Sequence, residues 1–222
     1  MKSLQIHIDV SPELYLKNPD SSELGRKIVS NSIEMINELG FEAFTFKKLG
    51  QKINSPESSV YRYFENKHIL LIYLLSWYWS WLDYRLVFAT ANIDSPIEKL
   101  KKALKVLTQA TVIDQSVSHI NEVLLSKIVV SESAKAYHTK EVDNENEKGF
   151  FKAYKQVVQR VSDLVLAMNQ HFEFPHMLIS TVIEGAHQQR YFAEHLPSLT
   201  DVKKETDSVT EFYTQMVFKV LQ

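Results

Sequence analysis

Cysteine is absent from the 222-residue sequence. Its absence excludes disulfide bonds, zinc sites built on thiolates and cysteine nucleophiles, and it suits a reducing cytoplasm. Glycine and proline are scarce, with 5 and 6 residues. Because both residues disfavour helix interiors and are common in turns, their scarcity favours helices over a turn-rich β fold.

A membrane-spanning run is also missing. The longest apolar stretch, from Ile69 to Leu82, has about 14 residues, whereas a spanning helix needs about 20. Asp83 and Arg85 follow it directly, so we interpret it as a buried helix. The N-terminus lacks the apolar core and cleavage site of a secretion signal. We therefore expect a cytoplasmic protein without a membrane partner.

Catalytic motifs are lacking too. The sequence has no serine elbow, no phosphate-binding glycine loop and no zinc-protease motif. Glu184, His187 and His195 have a spacing that a metal site could use, but the eight histidines form no tight cluster. We therefore expect no enzyme, no cofactor and no metal.

What the sequence does contain is a series of amphipathic helical patterns. A first helix is predicted with Asp20 and Glu23 as its capping box and Gly40 at its end. Residues 132 to 148 are polar and are predicted to form a mobile loop. Residues 4 to 10 alternate in polarity but have no partner strand, which favours an extended arm. Further helices are expected at about 67–90, 96–112, 117–131, 147–172, 175–194 and 201–221.

Residues 45 to 64 fit two short helices joined by a tight turn. Thr45 caps the first helix and Asn54 can adopt the left-handed turn that ends it. Ser55 caps the next, and Pro56 takes its first position. The inward pair is Val60 and Phe64, four residues apart, which leaves the remaining side chains of this helix at least partly exposed. These are Pro56, Glu57, Ser59, Tyr61, Arg62 and Tyr63.

Exposed tyrosine and arginine side chains on such a helix can bond phosphates and bases in a DNA major groove. The whole chain has a formal net charge of −2, so a DNA contact needs a local basic patch. Residues 45 to 67 supply one. Five cations (Lys47, Lys48, Lys52, Arg62, Lys67) face two anions (Glu57, Glu65), a local charge of about +3. The alternative is an ordinary helical hairpin with solvated lysines.

The stretch GFEAFTFKKLGQKINSPESSVYRYFENKHILL, within residues 24 to 75, resembles the DNA-binding domain of the TetR family of bacterial transcriptional regulators. The shared features are Gly40-Phe41, Thr45, the small residue Gly50 and the run VYRYFENKHILL. Two features depart from the family pattern. Asn54 replaces the usual turn glycine, and Ser55-Pro56-Glu57 opens the recognition helix, so its base preference cannot be transferred.

The resemblance implies an all-α fold with an N-terminal arm (1–20), a three-helix DNA-binding domain with a helix-turn-helix (21–66) and a larger helical ligand-binding and dimerisation domain (67–222). It implies a homodimer that binds a palindromic, double-stranded DNA operator, acts as a repressor and responds to a small apolar or aromatic inducer. The implied DNA contacts are Thr45, Lys47, Glu57, Ser58, Ser59, Tyr61, Arg62, Tyr63 and Lys67, with Tyr61 and Lys67 on phosphates.

Two features of the larger domain leave alternatives open. The last two long helices carry apolar residues that either form a four-helix dimer interface or are internal core: Val182, Gly185, Ala186, Phe212 and Met216. The aromatic residues of the fourth helix either line a ligand cavity or are solid core: Trp77, Trp81, Tyr84 and Phe88. A rival interpretation is a helical sensor or interaction protein that keeps the fold without binding DNA. Operator, inducer and regulated genes cannot be derived from the sequence.

Overall fold

The computed structural model describes residues 8–113, 119–203 and 205–222. This part of the chain is all-α, as predicted, and contains no β-strand. Its helices are α1 Glu23–Leu39, α2 Phe46–Lys52, α3 Glu57–Tyr61, α4 Lys67–Thr90, α5 Pro96–Thr108, α6 Glu122–Glu132, α7 Ala134–Tyr137, α8 Val142–Glu147, α9 Lys152–Met168, α10 Pro175–His195 and α11 Ser208–Val220.

The chain folds into two compact units. The first comprises Met1–Ser80 and Thr111–Ala153, and the second comprises Trp81–Ala110 and Tyr154–Gln222. The first unit therefore contains α1 to α3, the first part of α4 and α6 to α8. The second contains the end of α4, α5, most of α9, α10 and α11. The predicted functional limits at residues 20/21 and 66/67 are not contact boundaries of this kind, and they stay predictions.

The core of the first unit forms around α4, which is apolar on all its faces between Leu70 and Trp79. A helix of this kind must be covered by protein on every side. The inward stripe of α1, which includes Ile28 and Ile33, is fully buried, and the ring of Phe64 packs edge-on against Tyr73. Within the described ranges, no helix combines the length and apolar character that crossing a bilayer requires.

The second unit is built from the apolar faces of α5, α10 and α11. Leu104, Ile183 and Val217 are fully buried. A polar link joins the same three helices: the guanidinium of Arg190 on α10 donates to the Thr108 carbonyl at the end of α5 and lies 2.8 Å from the Asp207 carboxylate, which caps α11.

Several predicted helix ends are confirmed. Gly40 and Asn54 have positive φ angles of 76° and 52°, and Asn66 Oδ1 accepts from the Ile69 amide at the start of α4. The predicted capping box of α1 is wrong. Ser22, not Asp20, caps this helix, because Pro19 begins a 3-10 turn that contains Asp20. Glu23 is consequently the first helical residue.

The segment 132–148 is helical, so the predicted loop is wrong. It contains α7 and α8. Although its composition is polar, three of its residues are buried: Glu132, Ala136 and Glu145. α4 has the predicted bounds and α10 ends one residue later than predicted, whereas α5, α9 and α11 are shorter, and α9 and α11 begin five and seven residues late. Predictions for residues 1–7 and 114–118, which include the start of the 117–131 helix and most of the alternating segment, lie outside the described residues.

Candidate nucleic-acid interface

Helices α2 and α3 cross at a close distance, which defines a helix-turn-helix. Thr45 Oγ1 accepts from the Lys48 amide and caps α2. A Cβ at Gly50 would lie 2.6 Å from the Ser55 carbonyl oxygen, so only glycine fits there. The Ser55 amide in turn donates to the Gly50 carbonyl. The tight turn predicted from Gly50 and Asn54 is therefore present.

Helix α3 has five residues and starts one position later than predicted. Pro56, not Ser55, takes the cap position, and no side chain caps the helix. Val60 and Phe64 are fully buried, so the predicted anchor pair is confirmed. The amides of Tyr63 and Phe64 both donate to the Val60 carbonyl, which continues the turn beyond Tyr61.

The outer side of α3 presents polar and aromatic groups. Ser58, Tyr61 and Arg62 are exposed, while Glu57 and Ser59 are half-buried. Tyr61 is 47% exposed, and its ring packs edge-on against Phe46 of α2, with 5.0 Å between the centroids. This contact holds the Tyr61 ring in place and leaves it accessible, and a contact with a DNA groove requires both.

Tyr63 does not belong to this outer side. It is only 3% exposed; its hydroxyl lies 2.7 Å from Ser22 Oγ, and its carbonyl accepts from the Leu16 amide. The hydrogen bond from Ser22 lowers the pKa of Tyr63 against the opposing effect of burial, and Lys17 and Arg62 lower it further. The predicted groove contact of Tyr63 is wrong, because α3 ends at Tyr61 and the chain turns inward after Arg62.

Two of the five predicted cations are engaged by the protein itself. Lys52 lies 2.9 Å from a Glu34 carboxylate oxygen. The ammonium of Lys67 donates to the carbonyls of Phe41, Glu42 and Phe44. An ammonium has three hydrogens, so Lys67 has no hydrogen left for the predicted phosphate contact in this state.

The three other cations of the segment are exposed: Lys47, Lys48 and Arg62. The Lys48 ammonium donates to the Ala43 carbonyl, which leaves its charge uncompensated. Lys47 also borders an open groove between α2 and α3, together with Gly50, Gln51, Asn54, Ser55, Pro56 and Glu57. The basic surface is therefore smaller than the sequence predicts, and it comes from α2 and from the residue that follows α3.

The predicted dimer residues divide into two groups. Val182 and Ala186 are buried within their own unit, and a Cβ at Gly185 would collide with the Tyr213 hydroxyl. Val182 and Ala186 are internal core, and their assignment to an interface is wrong. Gly185 is half-buried, and it faces Tyr213 of its own unit. Phe212 is 58% exposed and Met216 is half-buried, so both remain accessible.

Sequence reasoning missed the exposed face of α10. Its residues recur at helical spacing and include two large apolar side chains: Met177, Thr181, Glu184, Gln188, Tyr191 and His195. Both faces of α10 carry apolar residues. The prediction relied on the small residues Gly185 and Ala186, which do not belong to this exposed face.

The aromatic residues of α4 also divide. Trp77 and Trp81 are buried, and the guanidinium of Arg85 lies over the Trp81 ring at 4.7 Å. Phe88 is 75% exposed and stacks on the half-buried Tyr84. A residue that lines a cavity is enclosed by protein. Phe88 lies on the outer side of the last turn of α4, so it does not line a cavity in this chain.

These features define an all-α protein with an N-terminal helix-turn-helix. The sequence matches no protein-family model and no curated protein. Among solved structures, AibR in complex with isovaleryl coenzyme A and operator DNA is 14% identical and has a TM-score of 0.61 over 87% of this chain and 98% of AibR. The ketosteroid transcriptional regulator KstR2 of Mycobacterium tuberculosis is 13% identical, with a TM-score of 0.56 over 98% of this chain and 97% of KstR2.

The fold is therefore TetR-like, as predicted. The superantigen PfiT shares it, at 13% identity and a TM-score of 0.59 over 89% of this chain and 96% of PfiT. Identities this low establish the fold and leave the activity to be argued from the residues.

Proposed function

We propose that the chain is a TetR-like transcriptional regulator that binds operator DNA through α3 in the cytoplasm and has no enzymatic activity. The observation that carries the proposal is the outer side of α3, where Ser58, Tyr61 and Arg62 are exposed beside Lys47 of α2. This combination supplies a guanidinium for guanine edges or phosphates, hydroxyls for either, and a cation for the backbone.

The contacts divide by position. Thr45 and Lys47 at the start of α2 would contact the DNA backbone, and Tyr61 would donate to a phosphate. Glu57, Ser58, Ser59 and Arg62 would face the base edges. Lys67 would act indirectly, because its ammonium fixes the loop that leads into α2.

A homodimer follows from the length of the recognition helix. Five residues can read only a few base pairs, whereas a two-fold dimer reads two half-sites about one helical turn or a multiple of it apart. The exposed face of α10 and the exposed Phe212 of α11 supply apolar surface for such a contact. We therefore propose these surfaces, with Met177, Tyr191 and Phe212, as the dimer interface, and a palindromic operator as its partner.

Repression released by a small ligand is the proposed mode of regulation. AibR was solved with isovaleryl coenzyme A and operator DNA, and KstR2 is a ketosteroid regulator. We extend from these proteins only the principle: a small apolar or aromatic compound would bind the helical body and lower the affinity for DNA. The buried aromatic residues Trp77 of the first unit and Trp81 of the second each stay a candidate for such a site within their own unit.

The experiment is selection of a duplex from a random pool by the purified chain, followed by titration of the selected duplex at several salt concentrations. We expect a conserved palindromic sequence and an affinity that falls steeply as salt rises, because bound lysine and arginine displace counterions. Enrichment of no sequence, with weak binding to every duplex, would exclude the proposal.

A second candidate function is an interaction or sensor protein that keeps the fold without binding DNA. The similarity to the superantigen PfiT favours it, since the same fold is then not restricted to regulators. The selection step separates the two, because an interaction protein enriches no duplex while its thermal unfolding stays cooperative.

A further inference from the structure

The segment before α1 lies against the end of the recognition helix. The Leu16 amide donates to the Tyr63 carbonyl at 2.8 Å, which places residues 15 to 17 next to Arg62. Leu14 and Pro19 are buried on either side of the segment, while Leu16, Lys17 and Asn18 are exposed between them. The exposed residues are therefore held at both ends by the core of the first unit.

Side-chain contacts fix the segment further. The Asn18 side chain accepts from the Asp20 amide, and the Arg26 guanidinium donates to the Asp20 carbonyl. The ring of Tyr15 packs edge-on against Tyr73 of α4. A segment with this many anchors presents its exposed side chains in one geometry.

Lys17 is the exposed cation of this segment. Its ammonium lies 5.1 Å from the centroid of the Tyr63 ring. Lys17 and Arg62 both lower the pKa of Tyr63, after the larger effect of the Ser22 hydrogen bond, so both cations lie close to one phenol. No carboxylate of the described residues lies within ion-pair distance of either cation.

Lys17 and Arg62 are both uncompensated near this phenol, and an approaching anion such as a backbone phosphate would stabilise each of them. Exposed Leu16, at 67% exposure, adjoins them and can press on a sugar. We infer that Leu16–Asn18 forms a second edge of the DNA-contacting surface, in which Lys17 binds a backbone phosphate next to the base edges that Arg62 faces. This inference rests on the proposed DNA binding and extends it to a segment outside the helix-turn-helix.

The test is the salt dependence of binding to a fluorescein-labelled duplex that the wild-type chain selects from a random pool. Lys17→Gln should reduce the slope of log K against log salt by about two, because the proposed dimer loses one phosphate contact in each of its two half-sites. Lys17→Arg should restore the slope. Lys101→Gln, which removes an exposed cation of the second unit, should leave it unchanged. Far-ultraviolet circular dichroism melts confirm that each variant is folded.

The outcomes distinguish the two proposals. If the wild-type chain selects no duplex, the proposed function fails, and this inference fails with it. If Lys47→Gln lowers the slope while Lys17→Gln does not, DNA binding stands and the second edge is refuted. Equal reductions for Lys17→Gln and Lys101→Gln would show a general charge effect and would also overturn the inference.

Discussion

Arg62 and Tyr61 are the residues on which the proposed DNA contact depends most. Both are exposed, and neither contributes a buried side chain to the core, so each can be changed without opening a cavity. Arginine is the side chain with the donor geometry for guanine or for two phosphate oxygens. The tyrosine hydroxyl supplies one neutral donor.

We expect Arg62→Ala to weaken binding to the selected duplex by about 1–3 kcal/mol. Tyr61→Phe should weaken it by about 1 kcal/mol per half-site, because it removes one hydrogen bond in each. Fluorescence anisotropy titrations measure both effects. Melting temperatures within error of the wild type are the control, and unchanged affinity in both variants would remove α3 from the interface.

Tyr63 should behave in the opposite way. Tyr63→Phe removes the hydrogen bond to Ser22 and should lower the free energy of unfolding by about 1 kcal/mol. It should change the affinity for DNA much less than Tyr61→Phe does, since the ring is buried. Urea unfolding and anisotropy on the two tyrosine variants give a matched comparison. A larger loss of affinity in Tyr63→Phe would restore the groove contact that the structure rejects.

The difference between these two tyrosines shows how far the sequence predicts single residues. The pair Val60 and Phe64 was predictable from its four-residue spacing. The inward turn of Tyr63 was not, because its burial depends on contacts with the segment before α1 and not on the spacing within α3. Its partner, Ser22, lies 41 positions away in the sequence, and no local pattern signals a contact of that range.

At the scale of elements, the crossing of α2 and α3 depends on Gly50. Alanine normally stabilises a helix by about 1 kcal/mol relative to glycine, but here its Cβ would lie 2.6 Å from a backbone carbonyl. Backbone cannot move as a flexible side chain does. We expect Gly50→Ala to destabilise the protein by about 1–3 kcal/mol and to weaken DNA binding. Gln51→Ala, on the exposed side of α2, is the control, and a stabilised Gly50→Ala protein would contradict the close crossing.

The start of α11 depends on Asp207. Burial raises the pKa of Asp207, but the hydrogen bonds from Thr210 and Arg190 outweigh it and hold the pKa below its usual value. The carboxylate therefore stabilises the folded state above about pH 4, the unfolded value. This stabilisation is lost as the pH falls through the lower, folded pKa.

Asp207→Ala should cost about 1 kcal/mol at neutral pH, as expected for a lost helix cap. The difference from the wild type should shrink as the pH falls below about 4. Chemical unfolding at a series of pH values measures it, with Asp201→Ala, an exposed aspartate, as the control. A difference that stays constant down to the lowest pH would exclude the carboxylate as its source.

The ends of a helix were predictable where a capping residue lies next to a regular apolar pattern. α4 begins and ends where the sequence predicts, because Asn66 caps it and an apolar run follows. α7 and α8 were missed, since their buried residues are an alanine and a glutamate, Ala136 and Glu145, and resemble loop composition. One carboxylate oxygen of Glu145 lies 2.6 Å from His68 Nε2, a partner 77 positions away that no local pattern signals.

At the scale of the whole molecule, the proposed dimer predicts the behaviour of surface variants. A carboxylate placed in a buried apolar contact is desolvated without a partner. Met177→Glu and Phe212→Glu should therefore shift the chain from dimer to monomer and reduce its affinity for the palindromic duplex. Ile97→Glu, an exposed apolar position on α5, should not.

Sedimentation velocity at several protein concentrations measures this shift. A wild-type chain that sediments as a monomer at every concentration would exclude the dimer. The all-α architecture and the helix-turn-helix were predictable from composition and the motif. The division into two units was not, because it falls between Ser80 and Trp81, inside the apolar run from Ile69 to Leu82.

Lys67 also bears on what happens when a lysine is modified. Its ammonium satisfies three carbonyl oxygens of the loop that precedes α2. Acetylation of Lys67 would remove the charge of its ammonium and two of its three hydrogens, so the loop would lose the hydrogen bonds that hold it. Amide hydrogen exchange in α2 should then accelerate while exchange in α1 stays slow. Acetylation of Lys67 would therefore loosen the helix-turn-helix without unfolding the protein.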